Sequence, residues 1–319
     1  MTNRNLVPRI EYDDLRGWLA MAESLDELRT VDGANWQEEI GMAAELVSHE
    51  EEAPAVLFDR IPGCPDGHRV VVNMFGGRRM RTMLGFPADL TKIELSECLF
   101  DSFSAAADGI PYEMVDDGPV LENVLTGDDV DLSLFPAPQW HEGDGGRYIG
   151  TGCFNVSRPP DSDWINLGPD GTCEYDMVGG LRGRPVKVVR GPITGLPIPA
   201  SAEIVLEGWV DPTQMVPEGP FGDWTGTYTE SGRVRPLVEI AGICHRNDPI
   251  ILGCPPQRPP DEYSRLSAVL RSAMLRQNLN DAGVPDIESV WCHEVGGARL
   301  LIGVSITQRY PGHARQAGQ

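Results

Sequence analysis

Ala55-Val56-Leu57-Phe58 and Val70-Val71-Val72-Asn73, separated by Pro62-Gly63-Cys64-Pro65-Asp66-Gly67, decide how the first part of this chain is read. Two short apolar runs bounded by turn-forming residues have the pattern of strands. Helical patterns lie to either side. Tyr12-Asp13-Asp14 leads into Leu15, Trp18, Leu19 and Ala22 at helical spacing, and Asn35 precedes Trp36, Ile40, Ala43, Ala44 and Val47 in the same way. Residues 90–107 give a further helix. This mixed order predicts an α/β domain over residues 1–125.

After Asp129 the character changes. Strand-like pieces dominate, at 148–156, 186–189, 203–210, 237–245 and 250–252, punctuated by Gly and Pro. One helix at 262–280 interrupts them, and 300–306 resumes a strand. The pattern predicts a barrel or sandwich of mostly antiparallel strands over residues 126–319, so the whole chain is read as α+β.

Composition narrows the function. The chain has 319 residues, is 41% hydrophobic and 23% charged, and carries a net charge of −22. So acidic a balance argues against a basic nucleic-acid surface and serves solubility. No apolar run approaches the ~20 residues of a membrane helix. Met1-Thr2-Asn3-Arg4-Asn5 has no apolar signal core, which predicts a cytoplasmic protein. Seven scattered cysteines without a CxxC pair argue against a disulfide framework or thiolate zinc site. Six histidines form no HExxH, and GxSxG is absent, so neither a zincin nor a serine hydrolase is indicated.

Pro217-Glu218-Gly219-Pro220-Phe221-Gly222-Asp223 carries the strongest chemical signal. Two glycines and two prolines in seven residues force a shaped loop, and two acids on it suit proton transfer. The bland alternative is a turn-capping Glu218 and an Asp223 that opens the next strand. The glycine-rich run from His141 to Gly152 matches neither the P-loop nor the dinucleotide fingerprint, and reads equally well as a flexible approach to a hairpin. Asn166 and Glu174 are oxygen donors suited to a hard cation, although their spacing does not require one. Glu203 and Glu207 alternate with aliphatics and predict a solvated strand face.

Taken in order, several motifs resemble the UbiD family of prenylated-FMN-dependent decarboxylases. They are Gly145-Gly146-Arg147-Tyr148-Ile149-Gly150-Thr151-Gly152, Trp164-Ile165-Asn166-Leu167-Gly168, Glu174-Tyr175-Asp176-Met177-Val178-Gly179-Gly180, the run from Ile198 to Gly208, the 217–223 loop, Arg258-Pro259-Pro260-Asp261-Glu262 and Gln308-Arg309-Tyr310-Pro311-Gly312-His313-Ala314. The resemblance implies an N-terminal α/β domain, a flavin-binding split β-barrel and a C-terminal dimerisation domain. It also implies prenylated FMN as cofactor, its phosphate held through Mn²⁺ or Mg²⁺ with K⁺ nearby. Asn166 and Glu174 match two of three metal ligands, Ile149 and Thr151 match flavin contacts, and Glu218 and Asp223 match the catalytic acids. The implied reaction is reversible decarboxylation of an aromatic, heteroaromatic or α,β-unsaturated acid, with Asp223 as proton donor and Glu218 setting its pKa. The implied partners are a prenyl-FMN synthase that supplies the cofactor and further copies of the chain, as dimer or hexamer.

The sequence departs from the family pattern twice. After Leu167-Gly168 the family continues through a segment bearing an arginine that faces the acids and the metal-binding histidine; here Pro169-Asp170 follows directly. The sequence also stops at Gln319, where the resemblance implies that the C-terminal dimerisation domain is missing. These departures leave a second expectation open, a catalytically inactive paralogue or subunit that binds or assembles without turnover.

Overall fold

The computed structural model describes residues 8–105, 108–159, 165, 173–228 and 233–319. The chain begins with α1 (Leu15–Ser24), β1 (Leu28–Asp32), α2 (Glu39–His49), β2 (Ala55–Asp59), β3 (Arg69–Val72), α3 (Gly77–Met83), α4 (Lys92–Ala105), β4 (Glu113–Met114) and β5 (Asn123–Thr126). Then come α5 (Glu174–Arg182), β6 (Lys187–Arg190), β7 (Pro197–Pro199), β8 (Ile204–Pro217), β9 (Val234–His245) and β10 (Ile250–Gly253). The last elements are α6 (Glu262–Asp281), β11 (Ile287–Cys292), β12 (Ile302–Ile306) and α7 (His313–Ala317).

The two apolar runs form the middle of a mixed sheet ordered β1-β2-β3-β10. β1 runs parallel to β2 and β3 parallel to β10, while β2 and β3 are antiparallel. Val56, Phe58, Val70, Val72 and Ile251 pack in one cluster with Ile40 and Ala44 of α2. Ala55, Leu57, Val71 and Ile250 pack in another with Trp18, Leu19 and Ala22 of α1. Both faces are therefore covered, which is why the strands read as unbroken apolar runs rather than alternating ones. Asp14 caps α1 as its position suggests, accepting the N–H of Gly17 at 2.8 Å.

Asn35 behaves differently. Its side-chain oxygen takes the N–H groups of Gln37 and Glu38, at 3.1 and 3.0 Å, and α2 starts only at Glu39. Competition of this kind is why Asn favours the turn ahead of a helix. The strand at 250–252 joins the N-terminal sheet, because Ile250 and Ile251 fill its two opposite cores. The expected strand at 148–156 makes no ladder. Tyr148 instead gives its N–H to Pro138 at 3.0 Å and takes the Trp140 indole N–H at 2.9 Å.

Two small sheets, β4-β6-β7 and β5-β9-β8, occupy the middle of the chain. Val120, Val189, Ile198, Ala200 and Cys244 form the core between them. β8 and β9 pair antiparallel with two register shifts, and the ribbon's outer half leaves Trp209 56% and Val238 51% exposed. The solvated face expected for Glu203 and Glu207 is not found: they are 9% and 4% exposed. Glu203 takes two hydrogen bonds from Arg16 at 3.0 Å, with Arg246 at 3.3 Å, and Glu207 accepts from the hydroxyl and N–H of Thr194 at 2.6 and 3.0 Å. Burial is tolerated because each carboxylate is fully partnered.

α6 opens with a capping box between Asp261 and Ser264 and packs on α4 through Leu95, Leu99, Val269 and Ala273. The β11–β12 hairpin lies against it. All seven cysteines are free. Among the described residues no helix is long and apolar enough to cross a membrane.

Candidate active site

β8 ends at Pro217, and the acid loop begins with the Glu218 N–H donating to Arg233 O at 2.8 Å. The turn then closes on itself. Asp223 gives its N–H to Thr227 O and accepts that of Gly226, both at 2.8 Å, and Gly222 bridges Tyr228. Asp223 is half-buried, and its carboxylate has no hydrogen-bond partner among the described residues. Glu218 is more open and accepts a hydrogen bond from Arg235 Nε on β9 at 3.1 Å. Sequence reading did not single out Arg235. An Arg on an adjacent strand has no motif of its own, and only the pairing of β8 with β9 brings it to the loop.

The glycine-rich run is the seat of this loop. Gly145 donates its N–H to Pro220 O at 2.7 Å, and a Cβ on Gly145 would lie 2.4 Å from the Cα of Gly219. Two backbones meet at a distance only glycine permits. Tyr148 adds its hydroxyl to Pro220 O at 3.2 Å, and its ring stacks on Phe221 with centroids 4.0 Å apart. Asp144 braces the run from behind, accepting the N–H groups of Trp140 and His141 at 3.0 and 2.9 Å; burial pushes its carboxyl above the usual range. Arg147 is committed to structure: it bonds the carbonyls of Ala137 and Phe135 and lies over Trp36.

Farther along, Ile149 packs on the first core cluster and Thr151 accepts the N–H of Cys254 at 3.1 Å. The Cys254-Pro255-Pro256 turn also reaches the acid loop, since a Cβ on Gly222 would lie 3.1 Å from Pro256 O. Trp224 sits under the Arg299 guanidinium, 4.6 Å from the ring centroid, and against Gly297.

Glu174 is the first residue of α5. Both its carboxylate oxygens are closed off from solvent and have no hydrogen-bond partner among the described residues. A bare, buried carboxylate is costly unless a cation or donor completes it, which fits a hard divalent ion. Tyr175 beside it meets Phe154 edge-on at 6.2 Å, so the stretch that passes the acid loop continues to the start of α5. Asn166 lies outside the described residues. No described contact joins Glu174 to Glu218 or Asp223. Nor do the described residues contain a group of three or more His, Cys, Asp or Glu able to hold a metal. The structure thus unites the acid loop with the glycine-rich run, and sets Glu174 apart from both, its carboxylate without a partner among the described residues.

Family models match most of the chain. The 3-octaprenyl-4-hydroxybenzoate carboxy-lyase (UbiD) N-terminal domain matches residues 19–99, and its Rift-related domain matches 113–169 and 168–259. The C-terminal domain of the same family matches 264–319, so the expectation that this domain is missing is corrected: all but the first two residues of α6, and β11 and β12, fall within it. The pyrrole-2-carboxylic acid decarboxylase of Pseudomonas aeruginosa is 30% identical over 318 residues, covering 80% of this chain and 63% of that protein. The chain therefore spans less than two thirds of that relative. The phenolic acid decarboxylase of Streptomyces sp. strain D7 is 27% identical over 371 residues, covering 96% of this chain and 76% of that protein. Since 371 exceeds the chain's 319 residues, a part of that relative has no counterpart here. Among solved structures, the UbiD-class enzyme HmfF of Pelotomaculum thermopropionicum, in complex with FMN, superposes with a TM-score of 0.83 at 25% identity, covering 95% of this chain and 78% of that one. The vanillic acid decarboxylase of Sedimentibacter hydroxybenzoicus gives a TM-score of 0.85 at 24% identity, covering 96% and 76%, and shares the fold.

Proposed function

The chain belongs to the UbiD family, and from that premise we propose that it is a carboxy-lyase acting reversibly on an aromatic, heteroaromatic or α,β-unsaturated carboxylic acid. The observation that carries the reading is the seating of the acid loop on the glycine-rich run, through Gly145, Gly219, Tyr148 and Phe221. A proton donor must be held where CO₂ departs, and this contact fixes the loop that bears Asp223.

Decarboxylation consumes one proton. Asp223 delivers it to the carbon that loses CO₂ and is reprotonated from solvent. Prenylated FMN, when bound, supplies the electron sink for the carbanion that CO₂ loss leaves behind. Ile149 and Thr151 border its proposed site. Glu174, with Asn166 as the second ligand, would hold a cation such as Mn²⁺ or Mg²⁺, whose charge would offset that of the flavin phosphate; a K⁺ belongs to the same proposal. A prenyl-FMN synthase as supplier, a homo-oligomeric assembly and a cytoplasmic location complete it.

The test is direct. Co-production with a prenyl-FMN synthase should give a protein with flavin absorbance that releases CO₂ from such acids. Asp223→Asn should bind flavin and lose turnover; a variant with wild-type turnover would remove Asp223 as proton donor.

A second reading, binding or assembly without turnover, is favoured by the sequence after Gly168, where Pro169-Asp170 follows directly in place of the family's arginine- and histidine-bearing segment. The intact mass of the protein isolated from its source separates the two. A mass near 34.9 kDa with no flavin absorbance supports the second reading, and a heavier flavoprotein supports the first.

A further inference from the structure

Two acids on one loop can divide the work of proton transfer only if their surroundings differ. Here they do. Glu218 accepts a charge-assisted hydrogen bond from Arg235 Nε at 3.1 Å, whereas the Asp223 carboxylate has no partner among the described residues. Two other arginines near the loop are committed elsewhere, and Arg258, which lies against Gly226, forms no ion pair with either acid among the described residues. Arg299 lies over the Trp224 ring, and Arg147 bonds two carbonyls behind the glycine-rich run. Arg233, whose carbonyl takes the Glu218 N–H, lies just before β9 and two residues from Arg235. The chain entering β9 thus grips Glu218 at both backbone and side chain.

We propose that Arg235 is the positioning residue of the acid loop: its ion pair holds Glu218 in place, so that Asp223, which has no such partner among the described residues, is the acid free to carry the proton. This rests on the decarboxylase reading above. It assigns to β9 of this chain the cation that the family pattern draws from the segment after Asn166.

The pair is half-exposed, with side chains 52% and 42% accessible for Arg235 and Glu218. Exposed ion pairs contribute little to folding. Removing the guanidinium should therefore leave the fold intact while disturbing the loop, which makes the proposal easy to isolate.

The experiment has a flavin-independent arm and a kinetic arm. In the first, the Arg235 Nε–H resonance is assigned by NMR through its loss in Arg235→Lys, and its hydrogen exchange is followed in wild type and in Glu218→Gln. Faster exchange in Glu218→Gln supports the pairing, and unchanged exchange overturns it. In the second, the flavin-loaded holoenzyme is assayed across pH. Arg235→Met should lower kcat roughly tenfold to a hundredfold and displace the pH profile, with an unaltered melting temperature and partial rescue by Arg235→Lys. Wild-type kcat and pH profile in Arg235→Met, against an active wild type, overturn the proposal and leave the decarboxylase reading standing. An inactive, flavin-loaded wild type would remove that reading, and the exchange arm would still decide the pairing.

Discussion

The sheet β1-β2-β3-β10 and the ribbon β8–β9 are built from similar residues and end in opposite states. Val56, Phe58, Val70 and Val72 are buried on one face of the sheet, and Leu57 and Val71 on the other. Trp209, Val210, Val234 and Val238 on the ribbon are as apolar, yet all lie more than half exposed. β2–β3 and β8–β9 are both paired antiparallel through the backbone, the ribbon with two register shifts. Hydrogen bonds make a strand, but only a covering layer makes a core, and the hydrophobic term belongs to the core. The sheet has helices α1 and α2 on its faces, while the ribbon projects past its last covered residues and presents the acid loop at its tip.

Mutations can break this contrast. The largest effect is expected from Phe58→Ala in the sheet, a loss of about 3–5 kcal/mol in urea denaturation, because the cavity would form among fully packed neighbours. Arg79→Met should cost about 1–3 kcal/mol, since the wholly buried guanidinium donates to the carbonyls of Asn73 and Ala53, while Glu27 keeps its ion pair with Arg78.

A pH effect comes next. Burial first of all, with Asp261 adding to it, pushes the Glu262 carboxyl up to about 7 from 4.5, against the backbone N–H bonds from Phe75 and Asn73 that favour the ionised form. A group whose pKa rises on folding stabilises the fold below its unfolded pKa and loses that contribution as pH climbs through the folded one. Stability should thus decline between pH 4.5 and about pH 7, by a few kcal/mol for this group, and Glu262→Gln should flatten that part of the curve. Melting temperatures of the two proteins across this range test it.

Smaller still, Gly145→Ala should force the Gly219 backbone aside at a cost of about 1–3 kcal/mol and lower flavin-dependent turnover; CO₂ release by a variant as fast as wild type would detach the glycine contact from function. The least effect belongs to the ribbon. Trp209→Ser should stay within about 0.5 kcal/mol of wild type, and a larger loss would show that the ribbon's surface is covered in solution.

The same contrast explains what could be read in advance. The sheet strands announce themselves because burial on two faces demands apolar residues at every position. The acid loop was legible through Gly and Pro, whose backbone limits are local. Residues 148–156 were misread as a strand because their apolar character serves packing on the first core and on Phe221, with no ladder needed. Glu203 and Glu207 looked solvated because their partners, Arg16 and Thr194, lie 187 and 13 residues away and no local pattern announces them. Arg235 was invisible for the same reason. Asn166, the second proposed ligand, falls outside the described residues, so Glu174 stands without it.

β10 has a consequence for how the protein is made. The edge of β3 facing β10 waits through the synthesis of everything up to Ile250, which pairs with Arg69. A ribosome that has released α1 through α4 has released a layer with one seam open, its Val71 and Val72 awaiting Leu252 and Gly253. Contacts so distant along the chain close late and slowly. During translation the nascent N-terminal layer is therefore exposed at an edge strand, a template for mispairing, until the central region has passed the exit tunnel.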